Sequence, residues 1–187
     1  MKAIKRSDAI WVYTPQAETT TRMKPLQHPD GFHLDAARGW LELGNHLEAE
    51  NEVERIQPKH SGHPDVLQVL WEISARKKEW ARCLDVADRV IKAAPNRVQG
   101  YIQKSFAMHE LKQTQDAWNF LFPMAEKFPK NPTIKYNLAC YGAQLGRLWE
   151  AEQWLKLAFT VGQEAELRAL ALQDPDLKPL WSKIASL

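Results

Sequence analysis

Only two cysteines, Cys83 and Cys140, occur in the 187 residues. They are too few for a disulfide framework and lack the paired spacing of a metal knuckle, so both are expected as reduced thiols used in packing. No apolar run approaches the roughly 18 residues that a membrane-crossing helix requires, and no membrane partner is expected. A charge excess of either sign is missing as well: 25 Lys and Arg stand against 23 Asp and Glu, a formal +2, with the two signs interspersed along the chain. Without a basic cluster, nucleic acid is not an expected partner. The start is basic, but the Ala9-Ile-Trp-Val-Tyr13 run behind it is too short and too polar-flanked for the apolar stretch of a signal peptide. The chain is therefore read as cytoplasmic.

Catalytic signatures are equally scarce. There is no glycine-rich phosphate loop, no Gly-x-Ser-x-Gly elbow and no His-Glu-x-x-His. His60-Ser-Gly-His63 offers two imidazoles, where a structural zinc site takes four ligands and a catalytic one three plus water. It reads as a solvated turn, and neither a metal, a cofactor nor enzymatic activity is expected. Cys83 reads as a buried packing residue, since burial in apolar surroundings leaves a thiol inert.

Internal repetition is present in place of these features. Gly44-Asn-His-Leu-Glu-Ala49 aligns with Lys78-Glu-Trp-Ala-Arg-Cys83, with Lys112-Gln-Thr-Gln-Asp-Ala117 and with Gly146-Arg-Leu-Trp-Glu-Ala151, so that Ala49, Cys83, Ala117 and Ala151 recur every 34 residues. Pro95 and Pro129 are 34 apart again, each just after an apolar helical stretch that a proline cannot continue. Helical periodicity marks the same units: Cys83, Ala87, Val90 and Ile91, and likewise Ala151, Leu155, Ala158 and Phe159, follow the i, i+4, i+7, i+8 pattern of one apolar face. Each such face requires a partner helix, which is why units of this kind stabilise one another as neighbours.

A period of 34 with small residues at these places resembles the tetratricopeptide-repeat (TPR) family. The small residue of the family's first helix matches Ala37, Ser105 and Ala139. The resemblance implies an all-α solenoid of antiparallel helix pairs forming a right-handed superhelix with a concave groove. Four repeats are expected at 30–63, 64–97, 98–131 and 132–163, preceded by a tail over 1–29 and followed by a capping helix and tail over 164–187. Two departures from the pattern stand out. Trp71 occupies the small position of the second repeat, where its ring is expected to force the helices apart or turn outward, and Pro123 falls inside a second helix that it is expected to kink. The first repeat ends in Pro58-Lys-His-Ser-Gly-His63, so its second helix is expected to stop early.

The tail carries a polar Glu18-Thr-Thr-Thr-Arg22 tract without an apolar stripe and reads as flexible, the alternative being that Ile10, Trp11 and Tyr13 dock on the array. At the other end, Asp174-Pro-Asp-Leu-Lys-Pro-Leu-Trp181 resembles endings that follow the last repeat in many bacterial TPR proteins, and Leu177, Leu180 and Trp181 are expected to fold back over the last pair.

The resemblance further implies a scaffold that binds a protein or peptide in its groove. The groove-facing positions fall on Leu34, Arg38, Leu41 and Glu42 in the first repeat and on Gln68, Glu72, Ala75 and Arg76 in the second. In the third they are Ile102, Phe106, His109 and Glu110, and in the fourth Tyr136, Asn137, Cys140 and Gln144. Phe106 and Tyr136 are expected as aromatic anchors, with Arg and Gln fixing register. Asn137 matches one position of the TPR subclass that grips a C-terminal carboxylate, but that subclass's cationic partners are missing, so this mode is not expected. The alternative function is a chaperone-like regulator of an enzyme or secreted protein, with the N-terminal tail as its own ligand. Eight tryptophans are many for this length, and Trp149 and Trp154 on an outer helix raise either self-association as a homodimer or partial burial under the C-terminal cap.

Overall fold

The computed structural model describes residues 25–184, and the expectations for the N-terminal tail before residue 25 lie outside the described residues. All regular structure among the described residues is helical. Helices α1 (Asp30–Glu42) and α2 (His46–Glu54) are followed by a 3-10 turn at Pro58–His60 and by α3 (Pro64–Arg76) and α4 (Trp80–Ala93). Next come α5 (Gln99–Glu110), α6 (Thr114–Leu121), the single turn α7 (Met124–Lys127), α8 (Pro132–Gln144) and α9 (Leu148–Val161). The end is built from α10 (Glu164–Ala171), a 3-10 segment at Pro175–Leu180 and the short α11 (Trp181–Ile184). No helix among the described residues is long and apolar enough to cross a membrane.

Within each pair the two helices are joined by the same turn. Gly44, Lys78, Lys112 and Gly146 all have a left-handed backbone, with φ of 80°, 58°, 67° and 76°. In each case the left-handed residue donates its N–H back three residues, as Gly44 does to Leu41 at 3.0 Å, and the next residue donates back five, as Asn45 does to Trp40 at 2.9 Å. These two bonds satisfy carbonyls that the end of a first helix would otherwise leave bare and fix the angle at which the second helix returns. Glycine adopts this conformation freely, whereas the two lysines adopt it at a cost of about 1 kcal/mol each. The starts are fixed by other chemistry: the side chains of Asn45 and Asn131 accept the N–H groups of Glu48 and Ile134 at 3.1 and 3.0 Å, and prolines open α3 and α8, where a missing N–H costs nothing.

The described chain divides into two compact units, 25–107 and 108–184. In the first, Leu34, Ala37, Leu41, Ala49, Val53, Ile56, Val66, Val69 and Ile73 form the core, with Leu26 and Leu70 packed against it. Second helix α2 ends at Glu54 after 9 residues, short of the 14 of α4 and α9, as the sequence implies. Asp30 at the start of α1 is buried and accepts from the Gln57 N–H at 3.2 Å and from His60 Nδ1 at 2.5 Å, which ties the Pro58–His60 turn to the first helix. Across the second pair, Glu50 of α2 holds both Lys77 (2.9 Å) and Arg82 (2.7 Å), and Glu79 holds the same two cations.

Trp71 does not turn outward. Its ring is 1% exposed and packed at 6.3 Å from the ring of Phe106, which in turn meets the edge of Trp80 at 5.6 Å. The small partner on α4 still lets the backbones approach, since Cys83 Sγ lies 4.0 Å from the Trp71 carbonyl. Helices also approach closely at Gly100, where a Cβ would fall within 2.8 Å of Ile91 and 3.0 Å of Val90.

In the second unit, Pro123 breaks the helix outright: α6 ends at Leu121 and a separate turn begins at Met124. Helix α8 is buried from Ile134 to Ala143. It packs on α9 where Gly142 lets Ala151 and Trp118 come close, so that an added Cβ would sit 3.2 and 3.0 Å from them. The Pro175–Leu180 segment lies on α8, and α10 packs on α9. Leu177, Leu180 and Ile184 are wholly buried, and Trp181 Nε1 donates to the carbonyls of Ala171 (3.0 Å) and Asp174 (3.2 Å). Trp154 packs against Trp118 and Phe122 at 6.5 and 5.8 Å, whereas Trp149 is 72% exposed.

Three outcomes follow from this packing. Lys112→Gly relieves the left-handed strain at an exposed turn and should raise stability by up to about 1 kcal/mol in urea unfolding, whereas Lys112→Val should lower it. Trp71→Ala, although it restores the small residue of the sister repeats, should cost about 3–5 kcal/mol because the cavity it leaves cannot close. The Asp30 carboxyl is held below its ordinary value chiefly by the His60 hydrogen bond, and that of Glu50 by Lys77 and Arg82. Both contribute stability above about pH 4 and lose it as pH falls through their lowered folded values, so the urea midpoint should drop between about pH 5 and 3. Glu50→Gln should flatten that profile.

Candidate functional site

The positions expected to face a groove divide by unit. Within 25–107, Leu34 and Leu41 belong to the core, and Ala75 and Ile102 are buried. Phe106, expected as an anchor, is 7% exposed, because its ring is spent on Trp71 and Trp80. What reaches the surface is polar. Arg38 is exposed and pairs with Asp35 at 3.2 Å and Asp65 at 3.9 Å. Half-buried Gln68 donates to Glu72 Oε1 at 2.9 Å and accepts from Gln103 Nε2 at 2.8 Å, forming a ladder from α5 to α3. Gln103 is 2% exposed, and among the described residues its Oε1 accepts no hydrogen bond. Arg76, in the last turn of α3, is exposed.

Within 108–184, four of the expected positions converge on one stretch of the chain itself. Tyr136 donates its hydroxyl to Asp174 Oδ2 at 3.1 Å, and the Cys140 thiol points to the same oxygen at 3.6 Å. Gln144 Nε2 donates to the Asp176 carbonyl at 3.0 Å, and His109 Nε2 lies 3.0 Å from Asp176 Oδ2. The other ring nitrogen of His109, Nδ1, lies 3.0 Å from Thr114 Oγ1, so the ring bridges the Asp176 carboxyl and a hydroxyl. The other Asp174 oxygen accepts the Asp176 N–H at 3.0 Å and so shapes the turn that presents the two carboxylates. First-helix side chains from α5 and α8 thus hold an Asp-Pro-Asp segment by side-chain hydrogen bonds.

Tyr136 is 5% exposed and, like Phe106, offers a ligand no free ring face. Burial, then the neighbouring Cys140 and the Asp174 carboxylate, push its phenol far above the ordinary range, so it acts only as a donor. Asn137 is buried too, and among the described residues its Nδ2 finds no acceptor. Cys83, in the other unit, is a packing residue: burial pushes its thiol up to about 12. The His60-Ser-Gly-His63 turn does more than expected, since His60 binds Asp30 and His63 Nδ1 caps α3 by accepting the Asp65 N–H at 3.2 Å.

Sequence reasoning missed Asp174, Asp176 and Gln103. A signal for the first was present, since Asp174 follows Cys140 by one repeat length of 34 residues and so continues the first-helix register into the cap. Gln103 sits one residue after Ile102 on α5 and carries no signal in the 34-residue register, whose equivalents there are Asp35, Val69 and Asn137.

No model of a known protein family and no curated protein matches this chain. Solved structures do resemble it. TTC0263, a thermophilic TPR protein of Thermus thermophilus, superposes with a TM-score of 0.63 at 18% identity over 84% of this chain and 100% of that one. MamA of AMB-1 gives 0.59 at 20% identity over 84% and 91%, and MamA of MSR-1 gives 0.59 at 19% identity over 86% and 97%. Helix pairs at a 34-residue period, joined by four equivalent left-handed turns, and this likeness together identify the chain as having the tetratricopeptide-repeat fold.

Proposed function

We propose that this chain is a protein-interaction scaffold that holds an extended segment of a partner against its first helices, without catalysis. The observation that carries the reading is the Asp174–Asp176 segment, which side chains of α5 and α8 grip at the positions expected to meet a ligand. A helical face that binds one stretch of chain through side-chain donors has the chemistry to bind another. In the unit 25–107 the corresponding positions bear Arg38, Gln68, Glu72 and Arg76, which reach the surface. There half-buried Gln68 and Glu72, held in place from below by Gln103, offer an amide and a carboxylate to a peptide main chain, while the arginines fix register and raise the on-rate. The fold shared with TTC0263 and MamA supports a scaffold in general terms.

Capture from an extract of the source organism, with the chain immobilised, tests this. A bound partner should be retained by wild type and by Trp149→Ala on the outer helix. The double variant Gln68→Ala, Arg76→Glu should weaken it by more than about tenfold in Kd, equivalent to ~1.4 kcal/mol, with the circular dichroism unchanged. Retention by the double variant together with loss on Trp149→Ala would move the site to the outer surface.

A further inference from the structure

The cap segment raises a question of chemistry that packing alone does not answer. Leu177, Leu180 and Ile184 are enough to close the end of an apolar core, and all three are 0% exposed. A core-closing segment has no need of two buried carboxylates, yet Asp174 and Asp176 are each 8% exposed and each meets polar side chains from another helix. Burying a charge is costly unless donors surround it, so these donors are matched to carboxylates in particular.

The match favours a carboxylate over a neutral substitute. Asp174 Oδ2 receives the Tyr136 hydroxyl and faces the Cys140 thiol, while Oδ1 receives a backbone N–H. An asparagine there could keep the backbone N–H only by turning its NH2 group toward Tyr136 and Cys140, which would then have to accept where they now donate to a charge. Asp176 Oδ2 faces the His109 ring, and the Gln144 amide reads the main chain between this carboxylate and the leucine that follows. The contacts come from side chains of α5 and α8, not from continuation of a helix.

We infer that the cradle of His109, Tyr136, Cys140 and Gln144 recognises an acidic Asp-x-Asp-Leu segment of a partner protein, which competes with the chain's own Asp174–Leu177. This inference rests on the scaffold reading above and gives it a ligand class. The intramolecular segment has the advantage of tethering, an effective concentration on the order of millimolar, so a free peptide binds weakly until the tethered copy is loosened. A partner would overcome the tether by adding contacts elsewhere on its surface. Leucine is required in the partner segment because Leu177, when displaced, leaves an apolar site that must be refilled.

The test uses the full chain and a fluorescein-labelled peptide reproducing residues 173–184, followed by anisotropy. Asp174→Asn, Asp176→Asn in the chain loosens the tethered copy and should bind the probe at least tenfold more tightly than wild type does. The same probe with both aspartates changed to asparagine should bind that variant at least tenfold more weakly, and adding Tyr136→Phe to the variant should weaken the acidic probe about fivefold. Where the double variant loses its cooperative thermal transition, Leu180→Ala serves instead, since it loosens the cap with both aspartates in place. Equal affinity of a folded, loosened variant for the acidic and the amide probes, or no binding of either, overturns the inference. The scaffold reading is judged separately by the Gln68 and Arg76 capture experiment, so an acidic probe that fails while that experiment succeeds sinks only the acidic ligand.

Discussion

Every helix pair in this chain depends on a left-handed residue at the same place. A first helix must end, expose its last carbonyls and reverse direction within three residues, and only a backbone with positive φ lets two N–H groups return to those carbonyls at once. The chain does this at Gly44, Lys78, Lys112 and Gly146, with the same pair of hydrogen bonds each time. The reversal angle in turn decides which side chains of the second helix turn inward, and Ala49, Cys83, Ala117 and Ala151, each five residues after its left-handed residue, are all 0% exposed. Packing therefore follows from the turn. The small residues recur at a fixed interval because the turn that aims them does.

This dependence explains what could be read from the sequence and what could not. The 34-residue interval carries the pairs, since a repeated turn leaves a repeated small residue behind it. The turn's own chemistry is hidden at Lys78 and Lys112, because lysine carries no preference for the left-handed region and a reader looking for glycine passes over it. The fate of Trp71 was likewise not legible. A small-residue rule describes the average pair, whereas this ring packs against Phe106, 35 residues away. Pro123 was legible as a disturbance but not as a full break, since the neighbours that decide between a kink and a new start lie outside the helix it interrupts.

The candidate site shows the same division. Positions were legible and accessibility was not. Leu34, Ile102, Phe106 and Tyr136 occupy the expected places on first helices, yet all are buried, because in a chain this short the apolar members of those faces serve the core. Polar members were read more safely: Arg38, Gln68, Glu72 and Arg76 could not be buried unpaired without a large cost, so they remain where a ligand could meet them. His109 and Asn137 are polar positions that are nevertheless buried, as is their neighbour Gln103, which lies beneath Gln68 and is held by it.

How a repeat array ends bears directly on which of its faces remain usable. Among the described residues, α8 and α9 are the last first and second helices, and each presents an apolar side of the kind that a neighbouring pair covers. Helix α10 covers α9 and the Pro175–Leu180 segment covers α8. Covering α8 with a short 3-10 segment instead of an α-helix has a chemical consequence, since so short a run leaves most of its peptide groups without internal partners, and these must be met by side chains. Gln144 meets one such carbonyl and Asp174 one such N–H. The polar side chains of α8 are thereby drawn into contact with main chain and carboxylates, which are the groups a bound peptide would offer. A covering segment of this type and a peptide site require the same donors at the same positions, so Asp174–Leu177 is held by the chemistry that suits the first helices to holding another chain.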